Sequence, residues 1–213
     1  MGIKERKERE KEQRRQLILD AAQDVFFRKG LDITTMDDIA AEAELAKGTL
    51  YLYFKNKEEI QYEISLRGVE LLNRKLHAVV DPTKQGLDNL LRIGWAFIEF
   101  SYEETKFFNL FLFFQKFDIH SLDISPERVE DYFLNLSPFR LLIDLVEKGM
   151  KDGSLRSDLP VNDTATTLWS NIMGLLIVQH FKKEIYEIFQ VDSRKILETN
   201  FEILMNGLAG RKI

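Results

Sequence analysis

An all-α fold is predicted by three features of this 213-residue sequence. Prolines number only four and glycines eleven, few for the length, which disfavours a turn-rich β architecture. Apolar residues recur three and four apart, as in Leu17, Ala21, Ala22, Val25 and Phe26, the stripe of an amphipathic helix. Residues that start and stop helices punctuate the chain between such stripes.

The first helix follows from that opening stripe and ends at Gly30, just past Arg28 and Lys29, whose charges suit a helix C-terminus. A second opens at Thr34-Thr35, where a threonine followed three residues later by Asp37 or Asp38 makes a capping box with aspartate in place of glutamate. Ile39, Ala40 and Ala43 form its buried side. After a break at Glu44-Leu45-Ala46, a third short helix is predicted over 47–54, with Leu50 and Phe54, four apart, facing inward as core. Asn56 and Glu59 mark the start of a long fourth helix reaching about Val80, which Asp81-Pro82 closes. Further helices are expected near 84–103, 105–117, 126–152, 161–185 and 192–209. Their limits are Pro82, Ser125-Pro126, Gly153, Pro160 and Asp192-Ser193, and Pro138 kinks or splits the third of them.

Composition narrows the functional classes. With no cysteine there is no disulfide, thiolate metal site or cysteine nucleophile, which fits a reducing cytoplasm. The first sixteen residues are mostly charged and lack the apolar stretch of a secretory signal. The longest apolar run, 172–178, is far shorter than the roughly 20 residues that span a bilayer. A soluble, cytoplasmic chain with no membrane partner is expected. Net charge is −5, yet residues 1–16 hold seven basic and four acidic side chains, a local +3 that can face phosphates or simply form a solvated helix start. There is no glycine-rich phosphate loop, nucleophile motif or cofactor fingerprint, and His77, His120 and His180 have no spacing that suggests a metal. Neither enzymatic activity nor a cofactor is expected.

Three helices of about 15, 8 and 8 residues, with a three- or four-residue turn between the last two, match helix-turn-helix geometry. The stretch from Ile33 to Ile60, and most specifically Lys47-Gly48-Thr49-Leu50-Tyr51 followed by Tyr53-Phe54-Lys55-Asn56-Lys57-Glu58-Glu59, resembles the signature of the tetracycline-repressor (TetR) family. The tight match covers about residues 15–60. The resemblance implies a transcription regulator, usually a repressor, that binds palindromic double-stranded operator DNA as a homodimer. It also implies an N-terminal DNA-binding domain over 1–60, with a charged extension at 1–14, and a ligand-binding and dimerisation domain over 61–213.

A recognition helix enters the major groove with its N-terminal residues against base edges. Gly48 lets the backbone approach DNA closely, Lys47 reaches a guanine edge or a phosphate, and Thr49 reaches a phosphate or a base. Tyr51 and Tyr53 offer hydroxyls to phosphate oxygens. Leu52 contacts a thymine methyl or packs on its neighbours, and the sequence leaves both readings open. Lys55 and Lys57 flank the N-terminus of the fourth helix, whose N–H groups and dipole attract phosphate. By resemblance, Thr34 or Thr35 clamps the DNA backbone together with Lys57. The chain departs from the family at two places: Glu44 stands where glycine is common in the turn, implying φ > 0 at a non-glycine residue, and Ala46 offers no capping oxygen where serine is frequent.

In the remainder, six phenylalanines lie within 107–117, a segment apolar all round that reads either as a plain core helix or as the wall of a cavity for a small apolar effector. Candidate ligand contacts are Trp95, Tyr102, Phe107, Phe111, Phe114, Gln115, Tyr132 and Arg140, with Asn109 as a further polar group. In the family the last two long helices pair with their symmetry mates, which makes Trp169, Ile172, Leu176, His180, Phe201, Leu204 and Leu208 the interface candidates. His180 reads there as a hydrogen-bonded interface residue rather than a ligand. The competing class is a helical adaptor that has lost DNA binding, favoured by net acidity and the uncapped Ala46 and opposed by Lys47, Tyr51, Tyr53 and Lys57.

Overall fold

The computed structural model describes residues 2–114 and 126–210. Its elements are α1 (Ile3–Lys29), α2 (Met36–Glu42), α3 (Lys47–Tyr51), α4 (Lys57–Val79), α5 (Gly86–Glu103), α6 (Thr105–Phe114), α7 (Pro126–Asp131), a π-helical turn (Tyr132–Leu136), α8 (Phe139–Lys151), α9 (Val161–Phe181), α10 (Lys183–Ile188) and α11 (Ser193–Leu208). Among the described residues the only extended pairing is an isolated antiparallel bridge between Leu155 and Ala209. No helix among them is long and apolar enough to cross a membrane.

Two compact units emerge: Met1–Glu70 with Thr105–Val129, and Leu71–Glu104 with Glu130–Ile213. The sequence reading cut the chain at residue 60, but packing carries the first unit further. Its core joins Ile18, Ala22 and Phe26 of α1, Ile39 of α2, Leu50 of α3 and Phe54 to Ile60 and Ile64 of α4 and Leu110 of α6. The C-terminal half of α1 with the short α2 and α3 buries too little apolar surface alone, so α4 and α6 complete the layer. Phe107 meets Phe27 edge-on at 5.1 Å, and its ring lies where a Cβ on Gly68 would come within 2.9 Å.

Local signals act where expected. Gly30 ends α1 at φ 95°, and its N–H donates to the Phe26 carbonyl. Thr35 is the cap of α2: its hydroxyl oxygen accepts from the Asp38 N–H at 3.2 Å, while the Asp38 carboxylate accepts from the Thr35 N–H at 3.0 Å. Asn56 caps α4 by accepting from the Glu59 N–H at 2.8 Å, and Glu59 in return accepts from the Lys55 N–H. Pro138 splits the helix expected over 126–152, standing at the cap of α8 after the π-helical turn.

The second unit rests on a close crossing of α5 and α8. A Cβ at Gly86 would stand 2.2 Å from the Gly149 nitrogen, so only glycine permits this approach. The loop after α8 then serves the N-terminus of α5, with the Gly86 N–H donating to Asp152 at 2.8 Å and the Leu87 N–H to the Ser154 hydroxyl at 3.1 Å.

Candidate functional site

The turn between α2 and α3 puts Glu44 at φ 53°, the left-handed conformation that the missing glycine implied. Its neighbour Leu45 donates to the Ala40 carbonyl at 2.9 Å, which brings the chain round to start α3. Ala46 supplies no side-chain cap. Regular helix ends at Tyr51 rather than at Phe54. Beyond it the Leu52 and Tyr53 N–H groups donate three residues back, to Thr49 and Leu50, in tighter turns. These turns sink Phe54, 1% exposed, beneath the Arg15 guanidinium, whose carbon stands 4.8 Å from the ring centre.

Leu50 and Phe54 face inward as predicted. What remains outside is a continuous strip: Lys47, Gly48, Tyr51 and Leu52, with Thr49 and Tyr53 half-buried beside them. Leu52 is 77% exposed, so of its two readings, packing on its neighbours is not realised. A Cβ on Gly48 would meet nothing within 4 Å, leaving the backbone open to approach. Lys47 pairs with Asp37 at 2.7 Å, and this partner raises its pKa further above the usual lysine value.

The flanking candidates fare differently. Thr34 is buried and turns its hydroxyl inward to the Gly30 carbonyl at 2.7 Å, so it presents nothing to a phosphate. Thr35 is exposed but its hydroxyl is held by the α2 cap. Asp38 shares that cap. Its hydrogen bond from Lys29, followed by those from Thr35, lowers its pKa to about 2. Lys57 is half-buried and donates to the Leu31 and Asp32 carbonyls at 3.0 and 3.3 Å, bracing the α1–α2 loop. Lys55 is exposed beside the start of α4.

Helix α1 extends through the charged N-terminal residues, which are solvated. Lys11 and Arg15 share a shallow groove with Leu52 and Tyr53, together with Glu8 and Glu12, and Arg15 also pairs with Glu63 at 2.8 Å.

In the second unit the interface candidates divide. Leu176 and Phe201 are buried within the unit. Trp169, stacked on Phe97 at 5.5 Å, joins Ile172, Phe201 and Leu204 in lining a partly open apolar cavity of about 60 Å³. Leu208 is half-buried. His180 is half-buried too, its Nε2 3.1 Å from the Ser101 hydroxyl and its ring stacked on Tyr102 at 5.0 Å. Burial, then the Lys183 charge, pushes its pKa below the usual histidine value. In place of these candidates, Gly174, Ile177 and Phe181 of α9 and Thr199, Ile203 and Gly207 of α11 are exposed, with Ile203 at 67% and Phe181 at 53%. Both stripes follow helical spacing, one on each long helix.

The ligand candidates are not brought together. Phe107 and Phe111 pack within the first unit, and Asn109 is exposed. Trp95 lies against Phe201 at 4.9 Å, Tyr102 donates to the Gln179 side chain at 2.7 Å, Tyr132 is half-buried, and exposed Arg140 pairs with Asp144 at 2.8 Å. Gln115 and the Phe114 side chain lie outside the described residues. None of the described candidates lines the cavity, whose walls include Asn200 instead. Its signal was legible: Asn200 falls on the same α11 stripe as Leu197, Phe201 and Leu204, a lone amide on an apolar face.

Comparison with known proteins places these features. The family described as bacterial regulatory proteins, tetR family, matches residues 18–64. The HTH-type transcriptional repressor KstR2 of Rhodococcus jostii is 33% identical over 149 residues, 70% of this chain and 71% of that protein. YhgD of Bacillus subtilis, an uncharacterised HTH-type transcriptional regulator, is 29% identical over 145 residues, 67% of this chain and 72% of its own. The crystal structure of Thermus thermophilus FadR, a TetR-family transcriptional repressor in complex with lauroyl-CoA, superposes with a TM-score of 0.63 at 21% identity, covering 93% of this chain and 97% of that one.

Proposed function

The chain belongs to the TetR family of transcriptional regulators, and from that membership we propose that it is a repressor which grips palindromic operator DNA as a homodimer and lets go when a small apolar molecule binds. The observation that carries the reading is the exposed strip of Lys47, Gly48, Tyr51 and Leu52 along and just past α3, with an open backbone at Gly48 and a leucine at 77% exposure. A large apolar side chain left in water at the tip of a helix costs hydration, and a thymine methyl in a major groove would cover it. Lys47, Lys55 and the basic side chains of α1 supply the phosphate attraction, with Thr49, Tyr51 and Tyr53 as neutral donors. The charges of Lys47 and of Lys57, each already paired within the chain, would exchange or share their partners on docking.

A second copy is expected to cover the outward stripes of α9 and α11. Glycine and threonine there permit close approach, while Ile177, Phe181 and Ile203 supply apolar area. A two-fold pair would present its recognition helices to successive major grooves if they stand roughly 34–36 Å apart. Release by a ligand is supported by FadR of Thermus thermophilus, which holds lauroyl-CoA. Selection from a random duplex library tests the whole reading. The expected product is an enriched palindrome bound with a log K against log salt slope of about −0.9 per neutralised phosphate. Recovery of no palindrome would overturn it.

A further inference from the structure

Helix α2 carries three acids, and they face two ways. Asp38 and Glu42 pair back onto α1, with Lys29 at 2.6 Å and Arg28 at 2.5 Å. Asp37 pairs forward onto α3 instead, its Oδ1 standing 2.7 Å from the Lys47 Nζ. Both partners remain largely in water, with 66% of the Asp37 side chain and 56% of the Lys47 side chain exposed. The next residue after Lys47 is Gly48, where the backbone is open to approach.

An ion pair this exposed does little to hold a fold together, since solvent screens it and two side chains must be ordered to make it. Thr35 and Asp38 cap α2 without it. What the pair does set is the chemistry of the surface. Wherever the Lys47 ammonium meets DNA, a carboxylate meets it too. Beside a phosphate that carboxylate would face a like charge. Beside a base edge it is a hydrogen-bond acceptor and needs a donor opposite.

The major-groove edge of a G·C pair is the complement. Guanine O6 and N7 accept there, and cytosine N4 donates. Because N4 already donates to O6 within the base pair, those two atoms stand a hydrogen-bond length apart, about 2.9 Å. The Lys47 and Asp37 atoms are spaced almost alike, at 2.7 Å. Laid on this edge, the ammonium donates to O6 and N7, the carboxylate accepts the second N4 hydrogen, and the ion pair itself is kept. An A·T pair fits less well. Its acceptors, adenine N7 and thymine O4, lie on either side of the adenine N6 donor, so the ammonium reaches one at a time.

We infer that Asp37 is a base-reading residue, and that with Lys47 it reads one G·C pair in each half of the operator, the carboxylate on cytosine and the ammonium on guanine. The inference rests on the reading of α3 as the recognition helix and deepens it, assigning Lys47 to a base edge rather than to a phosphate.

The test selects duplexes from a random library with the full-length wild type, then titrates the wild type, Asp37→Ala and Lys47→Ala against the selected operator and its single-base variants. The wild type should favour G·C at one position of each half-site by about tenfold, within the roughly 5- to 150-fold range of a good base-edge pairing. Asp37→Ala and Lys47→Ala should each lose the preference at that same position and keep the others. Asp37→Asn, which preserves the shape of the side chain where alanine disturbs α2, should turn the position toward A·T, because an amide pairs with adenine N6 and N7. Tighter binding of the Asp37 variants to every duplex, with the wild-type base preference intact, would make Asp37 an electrostatic brake and overturn the inference. Losses at different positions for Asp37→Ala and Lys47→Ala would overturn it as well. A palindrome whose bases ignore these substitutions refutes this inference alone, whereas recovery of no palindrome by the wild type refutes the operator reading beneath it too.

Discussion

Replacing Gly48 with alanine separates folding from function at one position. The added methyl would enter open space, since no atom of the chain lies within 4 Å of it, and Gly48 is the second residue of α3. Alanine is better than glycine in a helix interior by about 0.8–1.0 kcal/mol, and half of that is a reasonable share so near an N-terminus. The variant should therefore gain about 0.5 kcal/mol, a rise in Tm of about 1–2 °C for a chain of this size. On DNA the same methyl would stand between the backbone and the groove. Displacing one good base-edge contact costs about 1–3 kcal/mol, or about 5- to 150-fold in affinity. The salt slope should not change, because no phosphate-facing charge is altered. Urea unfolding gives the first quantity, and anisotropy of a labelled operator duplex across a salt series gives the others. Unchanged affinity would refute the close approach of α3 to DNA. Lost stability would refute the account of an open, helical Gly48.

Other outcomes follow from the same geometry. Thr35→Ala should cost about 1 kcal/mol in urea unfolding, because α2 loses its capping oxygen, and Thr35→Ser should recover most of it. Phe181→Lys combined with Ile203→Lys should yield a folded monomer in sedimentation with unchanged helicity, whereas Leu176→Lys, at a fully buried position, should unfold the second unit. For His180 the fold favours the neutral ring, so its folded pKa lies below the unfolded value of about 6.5. The unfolded chain then binds the proton first, and stability should fall as pH drops below about 6.5. Thermal melts of the wild type at pH 7.5 and 5.5, compared with His180→Asn, check this: the variant should lose less on acidification.

Much of the fold was legible because its signals are local. Thr35 with Asp38, Asn56 with Glu59, the glycine after Lys29 and the proline at 138 each act on residues within one turn, and each marks a boundary in the structure. The recognition element was legible for the same reason, down to the positive φ at Glu44. Its charges were not. Lys57 looks like a phosphate ligand in sequence, yet its ammonium is drawn to carbonyls some 25 residues earlier, which only the packing of α4 beside the α1–α2 loop brings within reach. Thr34 and Thr35 are adjacent and chemically identical, and the fold alone decides that the first points into the core and the second caps α2.

Helix α9 marks the boundary between the two kinds of knowledge. The sequence by itself predicted a helix over 161–185 with a mixed small, apolar and polar surface; in the structure that helix ends at Phe181 and α10 begins at Lys183. It did not determine which side of α9 is inside. Trp169, Ile172 and Leu176 lie on one face, Ser170, Gly174, Ile177 and Phe181 on the other, and either set is apolar enough to be core. Where a helix is apolar all round, hydrophobicity carries no direction, so orientation is chosen by shape. The large rings of Trp169 and Phe201 fill the space against Phe97 and Gly94, and the face carrying Ser170, Gly174, Ile177 and Phe181 is left outside. That choice depends on side chains far apart in the chain, and tertiary packing alone could make it.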